Sequence, residues 1–365
     1  MTSDDPVPSR SRTELVYLMN SLCTGGAEVG MCRLLDGLDH REYVVTVIAL
    51  DGHSEDLTDH IPSWIRVVDL RLRSGSGIPT LRELYSSIRT ADVVVGSLYH
   101  SSMIARIAGI LNPNATIITW QHSDQFKTGV RRRTFGWTAQ FSDVVLADSE
   151  PVAEMLITDL GLDDDLVQAV PIAGIDLDKY TPTVHRESGE VTVGTVGRLS
   201  ESKNHFLILD IAKEFTESNI QFEIGGDGEL YEELQTEIDE RSLENVTLHG
   251  FVDDVPSFLE DLDIYLQPSR REGLCITVLE AMAAGLPVVG SDVGGIGRNV
   301  EGHVSGYLYE PDDVDGFVSG IKVLAADPER RRQFGERGRE IVENGFTQEI
   351  LIHEFENSVR ASQDC

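Results

Sequence analysis

The chain has 365 residues, more than one typical α/β domain needs and enough for two, each with its own core. Its formal net charge of −32, from 62 acidic against 30 basic residues, excludes general binding to a nucleic-acid backbone. Hydrophobic residues at 41% and aromatics at 7% fit a soluble globular protein. No apolar run reaches the roughly 18 residues of a spanning helix, and the polar stretch from Met1 to Arg12 has no signal-peptide core. The expected location is the cytoplasm, including the inner face of its membrane.

Only Lys127, Lys179, Lys203, Lys213 and Lys322 are lysines. An acid-rich, lysine-poor surface resembles that of proteins from high-salt cytoplasms. There a Debye length of roughly 3 Å at molar salt screens self-repulsion, so a halophilic chain is expected. Cys23, Cys32, Cys275 and Cys365 form no CxxC and no metal-ligand spacing, which predicts reduced thiols.

In chain order, Leu15 to Met19, Tyr43 to Leu50, Val93 to Val95, Ala115 to Trp120 and Val144 to Ala147 are short apolar runs that predict buried strands. Helix-period stretches such as Ser102 to Leu111 and Pro151 to Leu160 lie between them. Alternation of this kind predicts a parallel sheet covered on both faces. Around Asp178 to Glu190 the pattern lapses into Pro, Thr, Ser and charge, the composition of a linker. A second alternation follows, with strands at Val191 to Val196, Phe222 to Ile224, Val246 to Leu248, Ile264 to Gln267, Pro287 to Gly290 and Gly306 to Tyr309. From Pro328 the chain reads as helix, ending in an amphipathic stretch from Gln348 to Val359. The expected fold class is α/β, two Rossmann-like domains facing each other across a cleft. Residues 1–177 form the first domain, 178–190 a linker and 191–345 the second domain, while 346–365 form a helix that packs back on the first domain. Open α/β sheets bind ligands at the carboxyl ends of their strands, so the chemistry is sought there.

The densest motif is Gln267 to Gly295, QPSRREGLCITVLEAMAAGLPVVGSDVGG. Glu272 and Glu280 stand eight apart. A helix starting near Cys275 leaves Glu272 in the preceding loop and sets Glu280 more than a turn inside. The N–H groups from Gly273 through Leu274 and Cys275 to Ile276 suit anionic oxygen. Gly285 and Pro287 end the helix. Earlier, Gly197-Arg198-Leu199 ends a strand and Lys203 precedes the next helix, which puts a planar guanidinium and a point charge at one sheet edge. Cations fixed there stabilise negative charge that develops in a bound group.

The E-x7-E stretch and the EAMAAGLPVVGSDVGG that trails it resemble the family 4 retaining glycosyltransferases, whose fold is GT-B. Further motifs of that family follow in order: Gly25-Gly26-Ala27-Glu28, Gly174-Ile175-Asp176, Gly197-Arg198-Leu199 with Lys203-Asn204, Gly226-Asp227-Gly228, and His249-Gly250-Phe251. The resemblance implies transfer of a sugar from a nucleotide-diphosphate sugar to a glycan, lipid-linked or other hydroxyl acceptor, with retention of anomeric configuration and no metal or other cofactor. It implies that Glu272 holds the donor sugar, Glu280 the ribose, Arg198 and Lys203 the diphosphate, and that Phe251 lies near the base. The loop at Gly26 then closes over the phosphates. The family often has Arg after the glutamate of that loop, where this chain has Val29. His122, just past a strand, matches a histidine that contacts the sugar or the reacting centre; His100 competes for the assignment.

Asp261-Leu262-Asp263 looks like the metal-binding DxD of other glycosyltransferases, but it precedes a strand instead of ending one, so no metal is expected. Lys127, Arg131, Arg132 and Arg133, with Phe126, Phe135 and Trp137, form a basic and aromatic stretch in a very acidic chain. An anionic acceptor such as a lipid phosphate carrier, or a membrane surface, is the expected partner of this segment. A nucleotide-sugar epimerase of the same fold and a non-catalytic nucleotide-sugar binder are the alternatives. A dehydrogenase is disfavoured because GGAEVG lacks the G-x-G-x-x-G pattern.

Overall fold

The computed structural model describes residues 12–23, 25–52, 60–72, 78–123, 126, 128–183 and 189–363. The chain divides into two compact units, Met1–Val170 with Ile352–Cys365, and Pro171–Leu351.

In the first unit the elements run β1 (Thr13–Met19), α1 (Gly26–Gly37), β2 (Tyr43–Ala49), β3 (Arg66–Asp69), α2 (Ile78–Thr90), β4 (Val93–Ser97), α3 (Tyr99–Leu111), β5 (Thr116–Gln121), α4 (Gly129–Thr138), β6 (Val144–Ala147), α5 (Glu150–Thr158) and β7 (Val167–Ala169). The strands pair in parallel in the order β3-β2-β1-β4-β5-β6-β7. Both faces are covered, so the central strands are apolar throughout; Val93, Val94 and Val95 are sealed from solvent. The winding reverses between β1 and β4. Ser97, His122 and Asp148 follow one another along the carboxyl edge just beyond that reversal, at the ends of β4, β5 and β6. β3 and β7 were not expected. They are short edge strands, RVVD and VQA, whose charged and polar residues carry no apolar run.

The second unit runs β8 (Val191–Val196), α6 (His205–Lys213), β9 (Ile220–Gly225), α7 (Tyr231–Arg241), β10 (Val246–Gly250), α8 (Val255–Glu260), β11 (Ile264–Gln267), α9 (Ile276–Ala283), β12 (Val288–Ser291), α10 (Gly294–Asn299), β13 (Gly306–Tyr309), α11 (Val314–Ala326) and α12 (Pro328–Gly345). Its parallel sheet has the order β10-β9-β8-β11-β12-β13, the doubly wound arrangement of dinucleotide-binding folds. The reversal lies between β8 and β11. The loops leaving these two strands carry Arg198 with Lys203, and Glu272.

The boundary differs from the one expected at 177. Residues 171–183 belong to the second unit because their apolar side chains are core: Ala173, Ile175 and Tyr180 pack with Leu279, Met282 and Val342. Their backbone is fixed as well, through Ile175 N–H to Phe346 O at 2.8 Å and Thr183 N–H to Ala284 O at 2.9 Å. By sequence, 171–177 fall in the first domain and 178–190 in a linker; of these core side chains only Tyr180 falls in that linker, where Pro and Thr surround it. The terminal helix α13 (Gln348–Gln363) joins the first unit from Ile352. Buried Phe355 lies parallel to Trp120 with centroids 6.2 Å apart, and Ser358 Oγ donates to Gln168 Oε1 at 2.7 Å.

Candidate active site

At the reversal of the second sheet, Lys203 Nζ donates to Glu272 Oε1 at 2.8 Å, with side chains only 18% and 8% exposed. Burial works against charge on Lys203, but the Glu272 carboxylate beside it, through its charge and its hydrogen bond, outweighs this and holds the ammonium above its ordinary range. Glu272 is oriented from below: Ser269 Oγ donates to Oε1 at 2.6 Å, Gln267 Nε2 to Ser269 Oγ at 2.9 Å, and Tyr265 OH to Gln267 Oε1 at 3.1 Å. Gln267, Ser269 and Tyr265 are all buried. Sequence reasoning missed this chain. Its one signal was polar residues following an apolar strand at its carboxyl end.

A second brace joins the two loops. Asp312 Oδ1 accepts from Asn204 Nδ2 at 2.9 Å and from Arg270 Nη2 at 3.0 Å, and Arg270 N–H reaches Ser202 O at 2.9 Å. The Arg270 guanidinium holds the Asp312 carboxyl below its usual range.

Two glycines explain motifs that composition left as turns. A Cβ on Gly226 would stand 1.9 Å from Gly197 O, so the Gly226-Asp227-Gly228 turn is packed directly on the strand end that carries Arg198; Leu199 N–H also reaches Asp227 O at 2.9 Å. Gly294, at φ +49°, lies under the other loop, where a Cβ would stand 2.1 Å from Glu272 O. No other residue tolerates both the left-handed backbone and that approach.

Helix α9 begins at Ile276 with Cys275 as a left-handed N-cap (φ 57°) and no side-chain cap. Holding a non-glycine residue there costs on the order of 1 kcal/mol, and the surroundings enforce it: Cys275 is buried and its Sγ lies 3.8 Å from Thr277 Oγ1. Burial first, then the Glu272 carboxylate, push its thiol up to about 12, so it stays neutral. Gly273, Leu274, Cys275 and Ile276 thus form the uncapped entry to the helix.

Arg198 is exposed at the end of β8, and Phe251 is 54% exposed beyond β10. Glu280 is buried inside α9, where Tyr180 OH donates to its Oε1 at 3.1 Å. His249 pairs with Glu223. Asp263 accepts from Thr192 N–H at 3.0 Å and faces Arg331 at 3.9 Å, so this aspartate braces β8 against α12.

In the first unit, His122 Nδ1 lies 2.8 Å from Asp148 Oδ2 and Nε2 lies 2.5 Å from Ser97 Oγ. The ring stacks on Trp120 at 5.9 Å. His100 is different: it is exposed on α3, with Arg131 Nη2 at 3.3 Å from its Nε2. Gly26 is the first residue of α1, after an extended Gly25 N-cap with no side-chain cap.

The basic segment is not one patch. Arg131 lies over the Tyr99 ring at 5.1 Å, Arg132 pairs with Asp159 at 2.9 Å, and Arg133 is exposed; a helix sends successive side chains about 100° apart. Lys127 lies outside the described residues. Phe135 is buried, against Phe126 at 5.3 Å, whereas Trp137 is 72% exposed.

Residues 24–179 match the family described as Glycosyltransferase Family 4, and residues 179–341 match that described as glycosyl transferases group 1. The chain belongs to the family 4 glycosyltransferases. This glycosyltransferase is 25% identical over 339 residues to the UDP-Gal:alpha-D-GlcNAc-diphosphoundecaprenol alpha-1,3-galactosyltransferase of Escherichia coli, covering 85% of this chain and 87% of that protein. It is 26% identical to an uncharacterized glycosyltransferase of Haemophilus influenzae, over 92% and 96% of the two chains. Among solved structures, Anabaena Alr3699/HepE in complex with UDP and glucose superposes with a TM-score of 0.84 at 19% identity, over 96% of this chain and all of that one. The glycosyltransferase therefore has the GT-B fold, built on two Rossmann-like domains. Among the described residues, no helix is long and apolar enough to cross a membrane.

Proposed function

We propose that this enzyme transfers a sugar from a uridine-diphosphate sugar to a hydroxyl of a lipid-linked or other glycan acceptor, with retention of anomeric configuration and without a metal. The observation that carries the reading is the buried Lys203–Glu272 pair at the sheet reversal, next to the uncapped start of α9. An open α/β sheet binds its ligand at that point. A helix start and fixed cations favour an anion there.

In this reading Arg198 and Lys203 receive the diphosphate as the glycosidic bond breaks, and Glu272 turns from Lys203 toward the sugar hydroxyls. Glu280 serves the ribose, Phe251 flanks the base, and Gly26 offers backbone N–H groups to phosphate. The leaving diphosphate takes the acceptor proton on the face it departs from, so no carboxylate nucleophile is required. The cations neutralise the diphosphate charge that a metal would otherwise neutralise.

The lipid-linked acceptor is favoured by the galactosyltransferase above, whose name specifies a diphosphoundecaprenol substrate. It is favoured too by the exposed apolar side chains Ile107, Ile110 and Leu111 on α3, and by Val130 and Trp137 on α4, which share a helix face with exposed Arg133 at i, i+3 and i+7 spacing and suit the edge of a bilayer. The test is product analysis: with a panel of uridine-diphosphate sugars and a diphosphoprenol-linked acceptor at molar KCl, an α-linked product from an α-configured donor supports retention, and a β-linked one refutes it.

A further inference from the structure

Three polar side chains at the edge of the first sheet form a linear relay. Asp148 Oδ2 is 2.8 Å from His122 Nδ1, and His122 Nε2 is 2.5 Å from Ser97 Oγ. A carboxylate only accepts, so Nδ1 carries a proton, and in the neutral ring Nε2 is left with a lone pair. The Ser97 hydroxyl therefore donates to Nε2.

Ser97 is fully buried, whereas the imidazole keeps 8% of its side-chain surface exposed. Substrate accordingly meets the ring, not the serine. A further buried polar atom beside this relay, Asp148 Oδ1, has no hydrogen-bond partner, and Tyr17 Oη lies next to Ser97 and Asp148. Leaving a buried carboxylate oxygen unpaired is costly. The backbone is strained at the same place. Leu98, directly after Ser97, has φ 73° and ψ 166°, a region almost confined to glycine, and strain of this kind gathers at working sites.

We propose that Asp148 and Ser97 are positioning residues that make His122 a hydrogen-bond acceptor for a sugar hydroxyl. Ser97 occupies the Nε2 lone pair until that hydroxyl arrives, then turns its own proton to Tyr17 Oη. The proposal rests on the reading that His122 touches the sugar, and adds its polarity: the group recognised is a hydroxyl that donates. Asp148→Asn reverses the arrangement, because an amide N–H donated to Nδ1 moves the ring proton to Nε2.

The test pairs ¹⁵N-imidazole NMR with calorimetry of UDP, UDP-glucose and UDP-galactose at molar KCl, on wild type, Asp148→Asn, Asp148→Glu and His122→Ala. The expected result is an Nδ1–H ring in wild type and Nε2–H in Asp148→Asn. The better of the two UDP-sugars should bind about 10- to 100-fold more weakly to that variant, with UDP affinity unchanged and Asp148→Glu restoring both. An Nε2–H ring in wild type, or Asp148→Asn binding within threefold of wild type while His122→Ala is impaired, overturns the proposal alone. His122→Ala binding both UDP-sugars as wild type does removes the sugar-contact reading and the proposal with it.

Discussion

Lys203 Nζ and Glu272 Oε1 lie 2.8 Å apart, joining loops that leave two adjacent strands, β8 and β11, at the point where the second sheet reverses its winding. A buried ion pair contributes little net stability by itself, but removing one partner strands the other charge. Lys203→Met is therefore expected to cost about 3 to 5 kcal/mol in chemical denaturation. The double variant Lys203→Met with Glu272→Gln recovers most of that loss, yet neither protein turns over a UDP-sugar. Equal stability of the single and double variants contradicts this account of the pair.

Gly294 supports the carbonyl of Glu272 from beneath, where a Cβ would stand 2.1 Å away. Gly294→Ala should push that loop outward and weaken UDP-sugar binding at least tenfold, about 1.4 kcal/mol, while the rest of the fold persists. Calorimetric titration beside a circular-dichroism spectrum decides it.

His205 gives a stability signature in acid. Burial, reinforced by Lys203, pulls its imidazole down to about 3, against about 6.5 in the unfolded chain. The unfolded state therefore takes a proton that the folded state refuses. The contribution is complete above pH 6.5 and is lost progressively as pH falls toward 3, amounting to about 2 kcal/mol by pH 5. The loss between pH 7 and pH 5 should be smaller by that amount in His205→Gln; identical losses would remove His205 as its source.

Much of the second unit was legible in the sequence because its strands are apolar runs and its site residues sit at their ends. Glu272 falls in a loop and Glu280 within a helix simply from their spacing around Cys275. The bracing of Glu272 by Ser269, Gln267 and Tyr265 was not legible, since nothing in a lone Ser or Gln says which loop folds onto which. Asp312, forty residues further along the chain, ties Asn204 to Arg270 only through tertiary folding. His122 was singled out by its strand-end position, but its partners Ser97 and Asp148 lie on neighbouring strands, and strand order is not readable from local periodicity. Residues 171–177 directly follow the first sheet in sequence, and nothing local tells that Ala173 and Ile175 pack in the second core; in the linker read at 178–190, Pro and Thr hid Tyr180, which is core as well.

The acidic surface leads to a salt prediction. With a net charge of −32, self-repulsion in dilute buffer acts over a Debye length of about 30 Å at 0.01 M, against about 3 Å at 1 M. The melting temperature is expected to rise steeply between these two KCl concentrations. A melt independent of salt contradicts the halophilic reading.

For the exposed face of α3 and α4, Trp137→Ser with Arg133→Ser should reduce sedimentation with vesicles containing anionic lipid, in high as well as low salt. The apolar contribution is not screened. Arg132→Ser should change little, because Arg132 is engaged with Asp159. Equal co-sedimentation of wild type and the double variant contradicts a bilayer contact at this face.

The central claim is that the cations and helix start at the β8–β11 reversal grip a nucleoside diphosphate. The most direct measurement is titration of UDP at molar KCl into wild type and Arg198→Ala, whose exposed side chain at the end of β8 can be removed without opening the core. The account predicts saturable binding by wild type and at least tenfold weaker binding by the variant. Absence of binding by wild type, or equal affinity of the two proteins, contradicts it.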